Sequence, residues 1–207
     1  MGARLVVLFS MFLIPVFAVA QDVRQDISLS ALGNFPFQSK GGNTTIDLTN
    51  SGGGAVTYRL FFKTHSAIEA GYGFTHGTFY YAEDETAVGG GIISLQQGST
   101  IHELTAAYVY HFWDDHRFKP FVLAGGGAVI FKPSGSTTAN TLFGAVTQAR
   151  GAYIYGGGLD YHITGPFTLR LEYRALNFKA PDFFGAGLTT HSWMRTSAPM
   201  LGVAYQF

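Results

Sequence analysis

The sequence predicts an all-β fold in which eight antiparallel strands, connected in up-and-down order, form a closed barrel. Three observations predict this fold. Glycine accounts for 27 of the 207 residues, and each Gly costs a helix interior about 1 kcal/mol relative to Ala. Eight segments place apolar residues at every second position, which puts one set of side chains on each face of a strand. The segments are joined by connections that alternate between short and long.

Composition and charge exclude several other classes. The chain has 13 basic and 13 acidic residues, no cysteine and a hydrophobic fraction of 47%. A disordered chain would combine low hydrophobicity with high net charge, and a disulfide-stapled domain or a Cys-ligated zinc domain would need cysteines. A nucleic-acid partner would require a basic excess. We therefore expect a folded protein that does not bind nucleic acid.

Residues 1–20 have the pattern of a secretory signal peptide. Arg4 provides the positive charge, an apolar segment follows, and Ala18 and Ala20 form the small-x-small site of signal peptidase. The alternative is a membrane anchor, but the apolar run of 16 residues is shorter than the roughly 20 that a spanning helix needs. The expected organisation is a signal peptide over 1–20 and a barrel domain over 21–207.

The eight strands are predicted in segments of 9–15 residues. Alternation is clearest over 167–174, 104–112 and 201–207, where one face of each segment is wholly apolar. The predicted strands cover residues 25–37, 55–63, 67–81, 100–113, 118–131, 149–163, 167–179 and 197–207.

The connections between these strands have two lengths. Three are short, at 64–66, 114–117 and 164–166. Four are long, with 17–18 residues each, and are predicted as loops over 38–54, 82–99, 132–148 and 180–196. Because an up-and-down barrel places every second connection at the same end, one end has tight turns and the other has long loops. This asymmetry is typical of a transmembrane β-barrel.

Charge placement indicates which face of the strands meets lipid. Arg170, Glu172 and Arg174 share one face of the seventh predicted strand, whereas the other face is apolar. We expect the charged and small residues to line the lumen and the apolar residues to face lipid. The alternative is a soluble barrel with an apolar core.

Aromatic residues cluster near the strand ends, as expected for the two girdles of a membrane barrel. The girdle at the turn end is predicted to contain Phe112, Trp113, Phe118, Phe121, Tyr161, Phe167 and Phe207. The girdle at the loop end is predicted to contain Phe35, Phe37, Phe79, Tyr80, Tyr81, Phe131 and Phe178.

The inward charges form the main candidate site. A hairpin turning at Gly165 places Asp160 opposite Arg170, and one turning at Thr64 places Arg59 opposite Glu69. Buried charges are costly unless paired, so opposite signs should interleave. The predicted lumen network contains Arg59, Glu69, Glu103, Asp160, Arg170, Glu172 and Arg174. We interpret it as a plug that rigidifies the barrel; a proton or ion path and catalytic carboxylates are the alternatives.

No catalytic, cofactor-binding or metal-ligating residue is predicted. The glycine triplets lack the Lys-Ser/Thr that ends a phosphate loop. His191 and Ser192 form a weak candidate for a hydrolytic site, but such a site also needs an orienting acid. Asn43 begins a glycosylation sequon, Asn43-Thr44-Thr45.

The end of the chain is the most specific local feature. Leu201, Val203, Tyr205 and Phe207 share one face, with Gly202 opposite. This pattern resembles the terminal-strand signal by which the barrel assembly machinery of Gram-negative bacteria recognises its substrates.

Two further segments, Lys119-Pro-Phe-Val-Leu-Ala-Gly-Gly-Gly127 and Leu169-Arg-Leu-Glu-Tyr-Arg174, resemble strands of the small eight-stranded outer-membrane barrels of the OmpA, OmpX and opacity-protein type. The resemblance implies a Gram-negative outer-membrane protein in contact with lipid and lipopolysaccharide. It implies a non-enzymatic role in adhesion, surface interaction or envelope stability, with an extracellular protein or host ligand as partner. The alternatives are a narrow pore and a lipid-modifying enzyme.

Overall fold

A computed structural model of the protein describes residues 24–41, 44–84, 92–113, 116–134, 145–183 and 192–207. None of these residues belongs to a helix that is long and apolar enough to cross a membrane. The predicted signal peptide, with Ala18 and Ala20, lies outside the described residues. The strands within the described ranges are β1 (Gln25–Pro36), β2 (Ser39–Gly41), β3 (Thr44–Leu48), β4 (Ser51–Lys63), β5 (Ser66–Asp84), β6 (Ile92–His111), β7 (Phe118–Pro133), β8 (Gln148–Thr164), β9 (Phe167–Lys179) and β10 (Trp193–Gln206).

Eight of these strands form the wall of a closed barrel. The order around the wall is β1, β4, β5, β6, β7, β8, β9 and β10, and β10 pairs back with β1. Every pairing is antiparallel. The predicted closed, eight-stranded, up-and-down barrel is therefore confirmed.

The short connections, the start of β1 and the end of β10 lie at one end of the barrel, which we call the turn end. Gly165, in the β8–β9 turn, has a φ of 55°, a left-handed conformation that glycine adopts without steric cost. Gln25 and Phe207 exchange two backbone hydrogen bonds of 3.3 and 3.0 Å, so the first and last strands close the wall here.

The predicted bounds of three long loops are wrong, and the smallest difference is in the loop 180–196, because β10 begins at Trp193. Residues 38–54 contain β2 and β3, and β3 pairs with the upper part of β5. The predicted loop 82–99 is largely strand, because β5 continues to Asp84 and β6 begins at Ile92. These strands have 19 and 20 residues, whereas a membrane crossing needs about 9–11. At the end opposite the turns, the wall is therefore much longer than a membrane crossing requires.

The half of the wall nearer the turn end is apolar outside, and its interior holds buried polar and charged side chains together with a few apolar ones. Its outward side chains include Leu29, Ile68, Leu171 and Val203, all substantially exposed. Its inward side chains include Ser28, Thr57 and the buried charges described below. An apolar exterior around a polar interior suits strands surrounded by lipid, which confirms the predicted orientation of the two faces.

We call the half of the wall farther from the turn end the extension. Its interior is mainly apolar. It contains an apolar cluster, the extension core, in which the Phe131 ring centroid lies 5.4–6.4 Å from those of Phe79, Phe178 and Phe183. The other buried members of the extension core include Ile46, Leu48, Tyr81, Ile101, Val129, Ile154, Leu176 and Met194.

The extension core corrects part of the girdle prediction. Phe79, Tyr81, Phe131 and Phe178 point into the barrel and are buried, as is Phe121 near the turn end. Their positions share the inward parity of Glu69, Arg170 and the other lumen charges. Aromatic side chains that do lie outside include Phe35, Phe37, Tyr80, Phe112, Trp113, Phe118, Phe167 and Phe207.

Candidate functional site

Two hairpins place the first charged pairs inside the barrel. The β4–β5 pairing sets Arg59 opposite Glu69, and the β8–β9 pairing sets Asp160 opposite Arg170. Directly opposed residues of an antiparallel pair point to the same face, and here that face is the lumen. The tight turns between these strands therefore determine the local register of both pairs.

Arg170 joins two carboxylates near the turn end. Its Nε and Nη2 donate to the Asp160 oxygens at 2.8 and 2.9 Å. Its Nη1 and Nη2 donate to Asp26, on β1, at 3.1 and 2.9 Å. Both are fork-shaped contacts, the geometry in which a guanidinium binds carboxylates most strongly. His111 Nε2 lies 3.4 Å from the same Asp160 side chain.

Arg59 occupies the centre of the lumen and is completely buried. Its Nε donates to Glu69 at 2.5 Å, its Nη1 to Asp160 at 3.2 Å and its Nη2 to Glu172 at 2.9 Å. One guanidinium thus contacts carboxylates from β5, β8 and β9.

Arg174 completes the set on the side of the extension. Its Nη2 donates to Glu69 at 2.5 Å, and its Nε donates to Glu172. Glu69 and Glu172 each bridge Arg59 and Arg174. We call the connected residues Asp26, Arg59, Glu69, Asp160, Arg170, Glu172 and Arg174 the lumen cluster.

An aromatic ring closes one side of the lumen cluster. The Arg59 guanidinium carbon lies 4.1 Å from the Phe121 ring centroid, a cation–π contact in a water-poor site. Phe121 pairs with Gly158 on β8. A Cβ at Gly158 would lie 2.6 Å from the Phe121 ring and 2.2 Å from the Leu171 carbonyl oxygen. The absence of a side chain at Gly158 therefore makes room for the ring that Arg59 covers.

Glu103 is placed apart from the cluster that contains the other six predicted residues. It is 8% exposed on the lumen side of β6 and pairs with Gly73 on β5. It forms no ion pair with any residue that the structure describes. Arg174, the cation with which it could interact, already donates to Glu69 and Glu172.

Sequence reasoning missed Asp26 and His111. Both lie on lumen-facing positions of their strands, and Asp26 shares its face with Ser28 and Ser30. The polar residues on this face of β1 indicate that Asp26 points into the lumen. Asp26 and Arg170 lie on strands separated by β10, however. Matching residues at equal distances from a hairpin turn pairs only consecutive strands, so it could not predict this contact.

The C-terminal residues lie on β10 with the alternation that the sequence predicts. Leu201, Val203, Tyr205 and Phe207 point outward and are exposed. Gly202 points inward opposite Ser30, and a Cβ there would lie 2.1 Å from the Ser30 hydroxyl. Gly202 thus permits close packing at the β1–β10 junction that closes the barrel.

The described residues do not support the weak candidate for a hydrolytic site, His191 and Ser192. His191 lies outside the described residues. The Ser192 hydroxyl lies 2.6 Å from that of Ser39. Within the described part of the chain, no group of three or more His, Asp or Glu side chains could hold a metal ion.

A family comparison identifies the fold. The family model for the outer membrane protein beta-barrel domain matches residues 5–207. The chain belongs to this family. The protein is accordingly a β-barrel of the Gram-negative outer membrane, where it meets lipid and lipopolysaccharide.

Solved structures of small outer-membrane barrels have the same fold. OprG of Pseudomonas aeruginosa has a TM-score of 0.63 at 13% identity, with coverage of 89% of this chain and 95% of OprG. Neisserial surface protein A has a TM-score of 0.61 at 12% identity, with 88% and 97% coverage. Ail, the attachment invasion locus protein of Yersinia pestis, solved with the heparin analogue sucrose octasulfate, has a TM-score of 0.52 at 17% identity, with 90% and 100% coverage. A comparison with curated protein sequences finds no match.

Proposed function

We propose that this protein is a closed, non-enzymatic outer-membrane barrel that holds its extension outside the cell as a contact surface for adhesion. The filling of the barrel interior supports this most directly. The lumen cluster occupies the membrane half, and the extension core occupies the projecting half. A barrel filled in this way is a rigid support rather than a channel.

The size of the extension also favours a contact role. Paired residues of β5 and β6 run from Ser66 and Tyr110 at the turn end to Asp84 and Ile92. β3 widens this projecting sheet along β5. Surface segments that carry binding function are commonly positioned by a rigid scaffold of this kind.

The alternative of a narrow pore predicts ion flow through the lumen. We expect no stable conductance steps from the refolded barrel in a planar bilayer, because the charges of the lumen cluster are paired and the extension core is apolar. Stable steps would contradict the rigid support and favour the pore. A lipid-modifying activity would instead appear as a changed lipid A mass spectrum in cells that produce the protein.

Adhesion can be tested with a surface variant that leaves the interior intact. Tyr80 and Gln96 are paired, outward-facing and exposed on the extension, so Tyr80→Lys with Gln96→Lys changes the contact surface only. Gram-negative cells producing the parent should attach to an epithelial cell layer several-fold more than cells without it. The double variant should lose most of that gain.

The matched control is Lys63→Glu, which changes an exposed residue at the turn end. At equal amounts of folded protein in the outer membrane, it should attach like the parent. Attachment that is independent of the protein, or equal for the parent and the Tyr80/Gln96 variant, would overturn the adhesion proposal.

A further inference from the structure

Four outward-facing residues form a compact patch on two neighbouring strands. Lys179 on β9 lies opposite Trp193 on β10, and Asn177 lies opposite Arg195. Residues two apart on a strand share a face, so all four belong to one outward surface. We call Asn177, Lys179, Trp193 and Arg195 the β9–β10 patch.

The two cations of the patch lie diagonally to each other. Diagonal positions across an antiparallel pair are roughly 7–8 Å apart, a span that one phosphate group can bridge with long Lys and Arg side chains. Neither Lys179 nor Arg195 forms an ion pair with any residue of the described ranges. The patch therefore carries two positive charges that are available to an external anion.

A buried amide provides independent support for an external ligand. Asn177 is only 8% exposed, and its Nδ2 has no hydrogen-bond partner within the described part of the protein. Tyr153 on β8 and Arg195 on β10 flank it on either side. Buried amide donors normally have a partner, since leaving one unsatisfied costs about 1–3 kcal/mol. A headgroup oxygen bound at Arg195 would supply an acceptor when the exposed Arg195 side chain turns toward it.

The surroundings place the patch at the membrane interface. Arg195 lies about 30 Å above Phe207 for a strand tilted by about 40°, just beyond an apolar band of about 25 Å. Aromatic rings surround it: the Arg195 guanidinium carbon lies 5.5 Å from the Phe37 ring centroid and 5.9 Å from that of Tyr155. Trp193 stacks obliquely with Tyr153, at 5.6 Å between centroids. Such aromatic rings sit at headgroup level.

We propose that the β9–β10 patch is a binding site for a phosphate group of the outer-leaflet glycolipid, the lipid A moiety of lipopolysaccharide. Lys179 and Arg195 bind the phosphate, Asn177 donates to one of its oxygens or to an adjacent sugar hydroxyl, and Trp193 and Tyr153 pack against the sugar and acyl-chain boundary. The site rests on the outward orientation of the extension that the proposed function assumes. A binding measurement in micelles tests it independently of adhesion and of orientation in cells.

Tryptophan fluorescence can report binding within the patch. The chain has two tryptophans, and Trp113→Phe leaves Trp193 as the single reporter. We expect saturable fluorescence changes when bisphosphorylated lipid A is titrated into this protein in zwitterionic detergent. Arg195→Gln with Lys179→Gln should raise the apparent Kd at least about tenfold, the range for loss of charge-assisted hydrogen bonds. Asn177→Ala should raise it several-fold, whereas Arg195→Lys should retain most of the affinity.

Controls separate the possible sources of the signal. Lys63→Gln removes an exposed cation at the turn end and should bind like the parent, and each variant should show the heat-modifiable gel mobility of a folded barrel. Dephosphorylated lipid A, phosphatidylglycerol and inorganic phosphate should each bind at least about tenfold more weakly. Equal binding of any of these three ligands, or an unchanged Kd in the Arg195/Lys179 variant, would overturn the site while leaving the adhesion proposal intact.

Discussion

Arg59 on β4 donates a 2.9 Å hydrogen bond to Glu172 on β9 across the lumen, although these strands are not neighbours in the wall. The contact is a direct connection between opposite sides of the barrel. Because Arg59 also binds Glu69 and Asp160, one side chain fixes the distance between several strands. The lumen cluster therefore acts as an internal brace.

Replacing Arg59 should strongly destabilise the barrel. Arg59→Met keeps the side-chain length but leaves Glu69, Asp160 and Glu172 without their central cation. Breaking a buried ion pair by removing one partner costs about 3–5 kcal/mol, and we expect a loss of that size in the free energy of unfolding. Urea titration in detergent micelles measures it. Lys63→Met, at an exposed position, should change it by no more than about 0.5 kcal/mol; equal midpoints for both variants would contradict the brace.

Two glycines of β8 provide a matched test of packing around Phe121. Gly158→Ala would place a Cβ 2.6 Å from the Phe121 ring, whereas a Cβ at Gly151 would meet nothing within 4 Å. Overpacking a filled interior costs about 1–3 kcal/mol, so Gly158→Ala should lower the unfolding midpoint and Gly151→Ala should not. The prediction fails if both substitutions have the same effect.

The extension core should contribute to stability like the core of a water-soluble protein. Phe131 is fully buried against Phe79, Phe178 and Phe183. Truncating a buried Phe to Ala costs about 3–5 kcal/mol. We expect a loss in this range for Phe131→Ala and a smaller one for Phe62→Ala, which shortens a side chain on the outer face of the wall and leaves no interior cavity, both measured by urea unfolding. Similar losses for the two would mean that the extension is not a packed core.

The terminal aromatic residue should affect assembly more than stability. Phe207→Ala keeps the backbone hydrogen bonds to Gln25 but removes the exposed ring proposed as an assembly signal. Pulse-labelling in cells should show several-fold slower appearance of the folded, heat-modifiable form, with an unfolding midpoint close to that of the parent. Phe167→Ala, in the same girdle, is the control. Equal assembly rates for the two variants would argue against the signal.

The fold can be predicted because strand alternation and connection length are both visible in short segments of the sequence. The pairs Arg59–Glu69 and Asp160–Arg170 follow from two tight turns. The cross-lumen contacts Arg59–Glu172 and Arg174–Glu69 could not be predicted, because they depend on how strand stagger accumulates around the closed wall.

The extension was missed for a different reason. Ile46 and Leu48 are the only inward apolar residues of β3, a strand of five residues, and a segment this short resembles a polar loop. The four strand aromatics of the extension core, Phe79, Tyr81, Phe131 and Phe178, share the parity of the lumen charges. Their positions in the alternation indicate side chains that point into the barrel, whereas the girdle prediction places them on the outer face.

The boundary on the outer face of the wall, between exposed apolar side chains such as Leu171 and Val203 and the exposed charge of Lys179, determines how deeply the protein sits in the membrane. A displacement of one residue pair toward the turn end would pull the outward-facing Lys179 into hydrocarbon and push lipid-facing side chains near Phe207 into water. A shift the other way would expose the lipid-facing residues below Trp193. Both movements cost free energy, because apolar surface favours lipid and charge favours water. The outward-facing side chains therefore fix how far the wall projects beyond the hydrocarbon layer.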